Sequence, residues 1–133
     1  MEDKSKVLKT AETEKVKFVQ MQFMDILGTV KNVTIPVSRL ERALEEGVFF
    51  DGSSILGYAT IEESDMRLMP DPKTFTILPW TEEGLKTARM VCDVYDHENN
   101  RFEGDPRYAI QRILGKARAV SYTHLTLPTK RIV

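Results

Sequence analysis

The sequence predicts an α+β domain, and three observations predict it. Apolar and polar residues alternate with period two near 16–24 and 87–95, apolar residues recur at helical spacing in three other stretches, and turn-forming residues separate these segments. Period two places alternate side chains on opposite faces of a strand, and the 3.6-residue period gathers them on one side of a helix.

The elements follow in order. Lys4 to Glu14 carries Val7, Leu8 and Ala11 at helical spacing among charges, which predicts a short amphipathic helix with a thin apolar stripe. From Val16 the period changes to two, with Val19, Met21 and Phe23 on one face and Phe18, Gln20 and Gln22 on the other. Asp25-Ile26-Leu27-Gly28 offers a turn, and the extended, β-branched run from Thr29 to Ile35 completes a hairpin that Pro36 ends. Ser38 and Glu41 have the spacing of a capping box, so a helix is expected from Arg39, with Ser38 as a cap worth about 1 kcal/mol. Leu40, Ala43 and Leu44 form its buried stripe, and Gly47 supplies its C-terminal cap.

Val48-Phe49-Phe50 is a short apolar run, followed by Asp51-Gly52-Ser53-Ser54-Ile55-Leu56-Gly57, whose small residues read as a loop. Strands are expected at Met66 to Met69, Thr74 to Leu78 and Thr87 to Tyr95, the last setting Ala88, Met90, Cys92 and Val94 against Arg89, Val91 and Asp93. His97 to Asn100 reads as a polar hairpin tip. Asp105-Pro106 places a cap directly before a proline at the first helical position, and Ala109, Ile110, Ile113, Leu114 and Ala117 then keep helical spacing on a face prepared to pack on something.

From about Val120 the pattern breaks. Ser121 to Thr129 is a Thr/Leu run that continues nothing before it and resembles the translated adapter of a sequencing library, so residues 120–133 are read as foreign and set aside from the fold. The expected organisation is an N-terminal helix at 1–15, a sheet domain at 16–105, the start of a linker helix at 106–119, and that tail.

Composition narrows the function. With 19 Lys and Arg against 20 Asp and Glu the net charge is −1, which removes the electrostatic footprint of a nucleic-acid binder. The single cysteine, Cys92, makes neither a disulfide framework nor a metal knuckle and reads as a buried core residue. No apolar run approaches the roughly 20 residues that span a bilayer, and none near the start suits a signal peptide, so a cytoplasmic, membrane-free protein is expected. No phosphate loop and no histidine pair at ligand spacing is present. His97 and His124 lack partners for catalysis, and Trp80 reads as a core aromatic ahead of the alternative, an interface anchor.

One constellation remains. Asp51, Glu62, Glu63 and Asp65 lie within fifteen positions of one another, with Ser53, Ser54 and Tyr58 nearby. By residue type they form a cation site, because free carboxylates are ionised at neutral pH. By spacing alone the reading as solvated turns is the stronger one.

The order of motifs separates the two readings. Phe23-Met24-Asp25-Ile26-Leu27-Gly28, Phe50-Asp51-Gly52-Ser53-Ser54-Ile55, Glu63-Ser64-Asp65-Met66, Pro70-Asp71-Pro72, Pro79-Trp80, Cys92-Asp93 and Gly104-Asp105-Pro106-Arg107 follow one another as in the N-terminal domain of glutamine synthetases. The resemblance runs from about Val7 to Leu114 and is strongest to the prokaryotic type I enzymes. It implies a β-grasp fold, a twisted mixed sheet crossed by a helix, beside a larger catalytic domain in a ring-shaped homo-oligomer, commonly a dodecamer. It implies ATP-dependent condensation of glutamate with ammonium through a γ-glutamyl phosphate, with ATP and Mg2+ or Mn2+ held by the complete enzyme and none by this segment alone. Each active site in that family lies between subunits. Asp51 matches the aspartate that binds ammonium and accepts its proton, while Ser54 and Asp65 match residues of the same pocket. Tyr58 stands where many type I enzymes have Trp and is a candidate contact on the nucleotide side. No metal ligand is assigned in this chain, and the segment alone is expected to be inactive. Two alternatives stay open: a γ-glutamyl-amine ligase using an organic amine, and a non-catalytic β-grasp interaction module.

Overall fold

The computed structural model describes residues 2–58 and 64–121. Its core is a mixed sheet built around one strand. β1 (Phe18–Met24) and β2 (Val30–Pro36) form an antiparallel hairpin in which Phe18 faces Pro36 and Met24 faces Val30. β1 also pairs in parallel with β6 (Thr87–Tyr95), Phe18 opposite Thr87 and Gln22 opposite Val91. Beyond this register, β6 pairs antiparallel with β4 (Asp65–Pro70), which in turn pairs with β3 (Val48–Asp51). The order is β2-β1-β6-β4-β3, with the two-residue β5 (Thr76–Ile77) beside the start of β6.

The alternation read in the sequence carries into burial. Val19, Met21 and Phe23 of β1, Met66 and Leu68 of β4, and Ala88, Met90, Cys92 and Val94 of β6 all point into one core. That face is covered by α2 (Leu40–Glu46), which buries Leu40, Ala43 and Leu44. α1 (Glu2–Thr13) adds Val7 and Ala11. A helix lying across a twisted mixed sheet is the β-grasp arrangement. The C-terminal α3 (Pro106–Ser121) begins at the proline expected to open it and extends past residue 119. The rest of the segment read as foreign, residues 122–133, lies outside the described residues.

Three expectations need correction. The capping box at Ser38 does not form. Val37–Arg39 make a 3-10 turn opened by extended Pro36, so Ser38 lies within the turn, and α2 starts at Leu40 without any side-chain cap hydrogen bond. A capping residue must itself be extended to offer its oxygen to the first free amides, and Ser38 is not. The strand expected over Thr74 to Leu78 shrinks to Thr76–Ile77, because Asp71-Pro72 turns the backbone into a 3-10 turn through Thr74. Trp80 is 77% exposed, not a core aromatic, since it follows Pro79 past the end of β5 where no apolar layer covers it.

Gly47 closes α2 as expected, with φ +79° and its N–H donating to the Ala43 carbonyl. A Cβ there would lie 2.6 Å from the Leu68 carbonyl oxygen, so glycine is required by both conformation and space.

Candidate functional site

Asp51 is the last residue of β3, and its Cα stands opposite that of Asp65, the first residue of β4. The sheet therefore brings two acidic residues separated by the intervening loop to the same end of adjacent strands. Both side chains are exposed. Continuity of the ladder past this pair is kept by the Gly52 N–H donating to the Ser64 carbonyl at 2.7 Å.

After Asp51 the chain makes a 3-10 turn at Gly52–Ser54, and the aspartate caps it. Its Oδ1 accepts the Ser53 N–H at 2.9 Å and the Ser53 hydroxyl at 2.6 Å. The Ser54 hydroxyl donates to the Asp51 main-chain oxygen at 2.8 Å. Donors aimed at a carboxylate favour its charged form. The Ser53 hydroxyl and then the Ser53 amide hold the Asp51 carboxyl below the usual carboxylate range, against the opposing effect of desolvation, with the smallest contribution, again lowering, from the Ser64 side chain. Asp51 thus stays negative to lower pH than an ordinary aspartate.

Ser53 was visible in the sequence only as a neighbour. Its grip on Asp51 was legible in principle, because Asp-x-Ser is a pattern in which a side chain closes its own turn.

Tyr58 ends the described part of this loop and faces inward. Its hydroxyl donates to the Met24 carbonyl, and its ring lies 4.9 Å from that of Phe102, 5.9 Å from Phe23 and 6.4 Å from Phe50 between centroids. Both ring and hydroxyl are engaged within the chain. Burial, with smaller contributions from the Asp105 and Asp25 charges, pushes the phenol pKa well up, so the hydroxyl remains a donor across the working pH range.

Glu62 and Glu63, the other acidic residues of the constellation, lie outside the described residues. Among the described residues no three His, Cys, Asp or Glu side chains converge as a metal cage would require. A groove of about 450 Å3 beside α2 is lined by residues including Arg39, Arg42, Val48 and Phe49, and none of the four candidate residues borders it. Asp51 sits instead on open surface, where water screens its charge.

A second polar cluster ties α3 to the sheet. Arg107 pairs with Asp71 at 2.7 Å and with Asp93 at 3.1 Å, and Arg101 lies 3.3 Å from Asp93 and 3.9 Å from Asp105. Asp105, fully buried, accepts the Arg107 and Val94 amides. Burial raises its pKa against those two bonds and the Arg101 charge. The sequence identified Asp105 as a cap but not this network, whose members come from three separate segments. Cys92 is wholly buried and burial raises its thiol pKa well above the usual range, so it is an inert core residue.

The fold and this acidic strand end define a class: a β-grasp domain presenting an exposed, hydrogen-bonded aspartate at the end of a strand. Comparison with known proteins makes the class specific. The family described as "Glutamine synthetase, beta-Grasp domain" matches residues 15–97. Glutamine synthetase of Halobacterium salinarum (strain ATCC 700922 / JCM 11081 / NRC-1) is 50% identical over 118 residues, covering 88% of this chain and 26% of that protein. Glutamine synthetase of Staphylococcus aureus (strain MW2) is 48% identical over 124 residues, covering 93% and 28% respectively. Among solved structures, "GmaS/ADP complex-Conformation 1" superposes with a TM-score of 0.77 at 22% identity, covering 85% of this chain and 25% of that one. "CryoEM Plasmodium falciparum glutamine synthetase" does so at 0.76 and 20%, covering 87% and 22%. These two likenesses concern the fold. The chain belongs to the glutamine synthetase family through its β-grasp domain, and it spans about a quarter of the length of the curated relatives it matches. No helix among the described residues is long and apolar enough to cross a membrane.

Proposed function

We propose that this chain is the N-terminal domain of a glutamate-ammonia ligase and contributes the ammonium-site loop to an active site completed by a neighbouring subunit. The observation that carries the reading is the exposed, hydrogen-bonded and ionised carboxylate of Asp51 at an open strand end. A fixed negative charge on open surface attracts a small cation weakly in water and several-fold more strongly once a second surface lowers the local dielectric. Ammonium has no free lone pair, so it must lose a proton before attacking an acyl phosphate. Asp51 as it stands is a good cation anchor and a poor base, because the Ser53 bonds stabilise its charged form. Covering by a neighbour would remove water and raise its proton affinity, converting the anchor into an acceptor.

In this reading Ser54 fixes the backbone turn after Asp51, and Asp65 adds negative charge from the adjacent strand. ATP and Mg2+ or Mn2+, with glutamate, belong to the part of the longer protein beyond this domain. A homo-oligomeric ring, a dodecamer by family likeness, and a cytoplasmic setting complete the proposal. This domain alone carries no synthetase activity.

The test is Asp51→Ala in the longer protein that contains this domain. The expected result is a raised ammonium KM and a fall in turnover with unchanged glutamate KM. Unchanged ammonium affinity and turnover would overturn the assignment. A parallel screen of organic amines in place of ammonium distinguishes the γ-glutamyl-amine ligase, which would prefer them.

A further inference from the structure

The described part of the loop that follows Asp51 is closed by its own hydrogen bonds and meets the core through Ile55 and Tyr58. Ser53, Ile55 and Tyr58 all donate their amides to acceptors within the loop. Among the described residues its polar connections to the β1–β2 hairpin are two: the Ile26 N–H to the Leu56 carbonyl at 3.4 Å, a long bond, and the Tyr58 hydroxyl to the Met24 carbonyl. Around the second lies the aromatic cluster. Phe50, immediately before Asp51, and Tyr58, seven residues after it, both pack on Phe23 of β1. One group of rings therefore clamps both ends of the segment that carries Asp51.

We infer that Tyr58 is the positioning residue for Asp51, its hydroxyl fixing the acidic loop to the β1–β2 hairpin at the height the ammonium site requires. Gly57 supports the same contact. Its φ is +82°, and a Cβ there would stand 2.7 Å from the Ile26 Cβ, so any side chain would push the loop off the hairpin. Tyr58 acts through Asp51 and touches no reactant, and its bearing on ammonium rests on the proposed function above.

Two substitutions test this. Tyr58→Phe keeps the ring in its cluster and removes only the hydroxyl, so the domain still folds. Gly57→Ala displaces the loop without removing a polar group. In the full chain, amide hydrogen exchange at Ser53 and Ile55 is expected to quicken about three- to tenfold in Tyr58→Phe, the factor of one net hydrogen bond, while Met90 and Cys92 in β6 exchange as before. In the longer protein both variants are expected to raise the ammonium KM by a similar factor and to leave the glutamate KM unchanged. Wild-type exchange at Ser53 and Ile55 in both variants would overturn the anchoring. Faster exchange with an unchanged ammonium KM would overturn its bearing on ammonium. An unsubstituted parent without ammonium-dependent turnover would overturn the functional reading instead, and the exchange measurement would still decide whether Tyr58 anchors the loop.

Discussion

The two terminal helices are attached to the same sheet in opposite ways. α1 has the thinner apolar stripe, yet buries Val7 and Ala11 in the common core. α3 has the broader stripe, yet leaves Ile110 57% and Ile113 64% exposed and is held at its first turn by charges. Arg107 reaches Asp71 and Asp93, the Arg101 guanidinium lies 4.3 Å from the Tyr108 ring centroid, and Arg101 donates to Gln111 at 2.9 Å. Amphipathicity thus reports that a helix has a partner, not where the partner is. α1 finds its partner within this domain, whereas the stripe of α3 is left exposed among the described residues.

The sharpest way to break the contrast is to place a charge in each interface. Ala11→Asp puts a carboxylate in a buried position without a partner and is expected to cost on the order of 3–5 kcal/mol, read as loss of the cooperative urea transition. An intermediate effect is expected at the polar clamp. Asp105→Ala removes the α3 cap and leaves the Arg107 and Val94 amides without their acceptor, a loss of about 1–3 kcal/mol by denaturant titration. The pH dependence has a definite sign. Asp105 has a raised pKa in the folded state, so it binds its proton more tightly folded than unfolded. Its contribution is fully present below the unfolded value and is lost as pH rises through the folded one. The stability gap between wild type and Asp105→Ala should therefore widen as pH falls through the folded pKa, and a constant gap would contradict the burial. The smallest effect is expected on α3. Ile110→Glu with Ile113→Glu should change stability by no more than about 0.5 kcal/mol each while lowering the binding of a hydrophobic dye and self-association.

How much of this was legible depends on the range of the physics involved. β1 and β6 declared themselves because a buried face forces alternation, and Val19, Met21, Met90 and Cys92 obey it. Local proline and glycine rules placed the start of α3 and the end of α2. Ser38 failed because two local rules competed and Pro36 set the backbone before the serine could act as a cap. The parallel pairing of β1 with β6 was not legible from pattern, since nothing local encodes which distant strand a strand will meet. At the candidate site, residue type and motif order singled out Asp51. The two serine donors on Oδ1, the facing Asp65 and the inward turn of Tyr58 are three-dimensional facts that spacing alone leaves open. The ion cluster at Asp71, Asp93 and Arg107 was missed for the same reason, being half-buried charges that look like surface in a linear reading.

Because β6 is shared by both halves of the sheet, the order in which the chain is made matters. The β1–β2 hairpin can form early, but the inner edge of β1 has no companion until Thr87 to Val91 emerge from the ribosome. Until then its unpaired amides and carbonyls are an invitation to pair with another nascent chain. Joining ends so distant in sequence is slow, so the yield of soluble protein should depend on how quickly synthesis passes Tyr95 and how well nascent chains are kept apart.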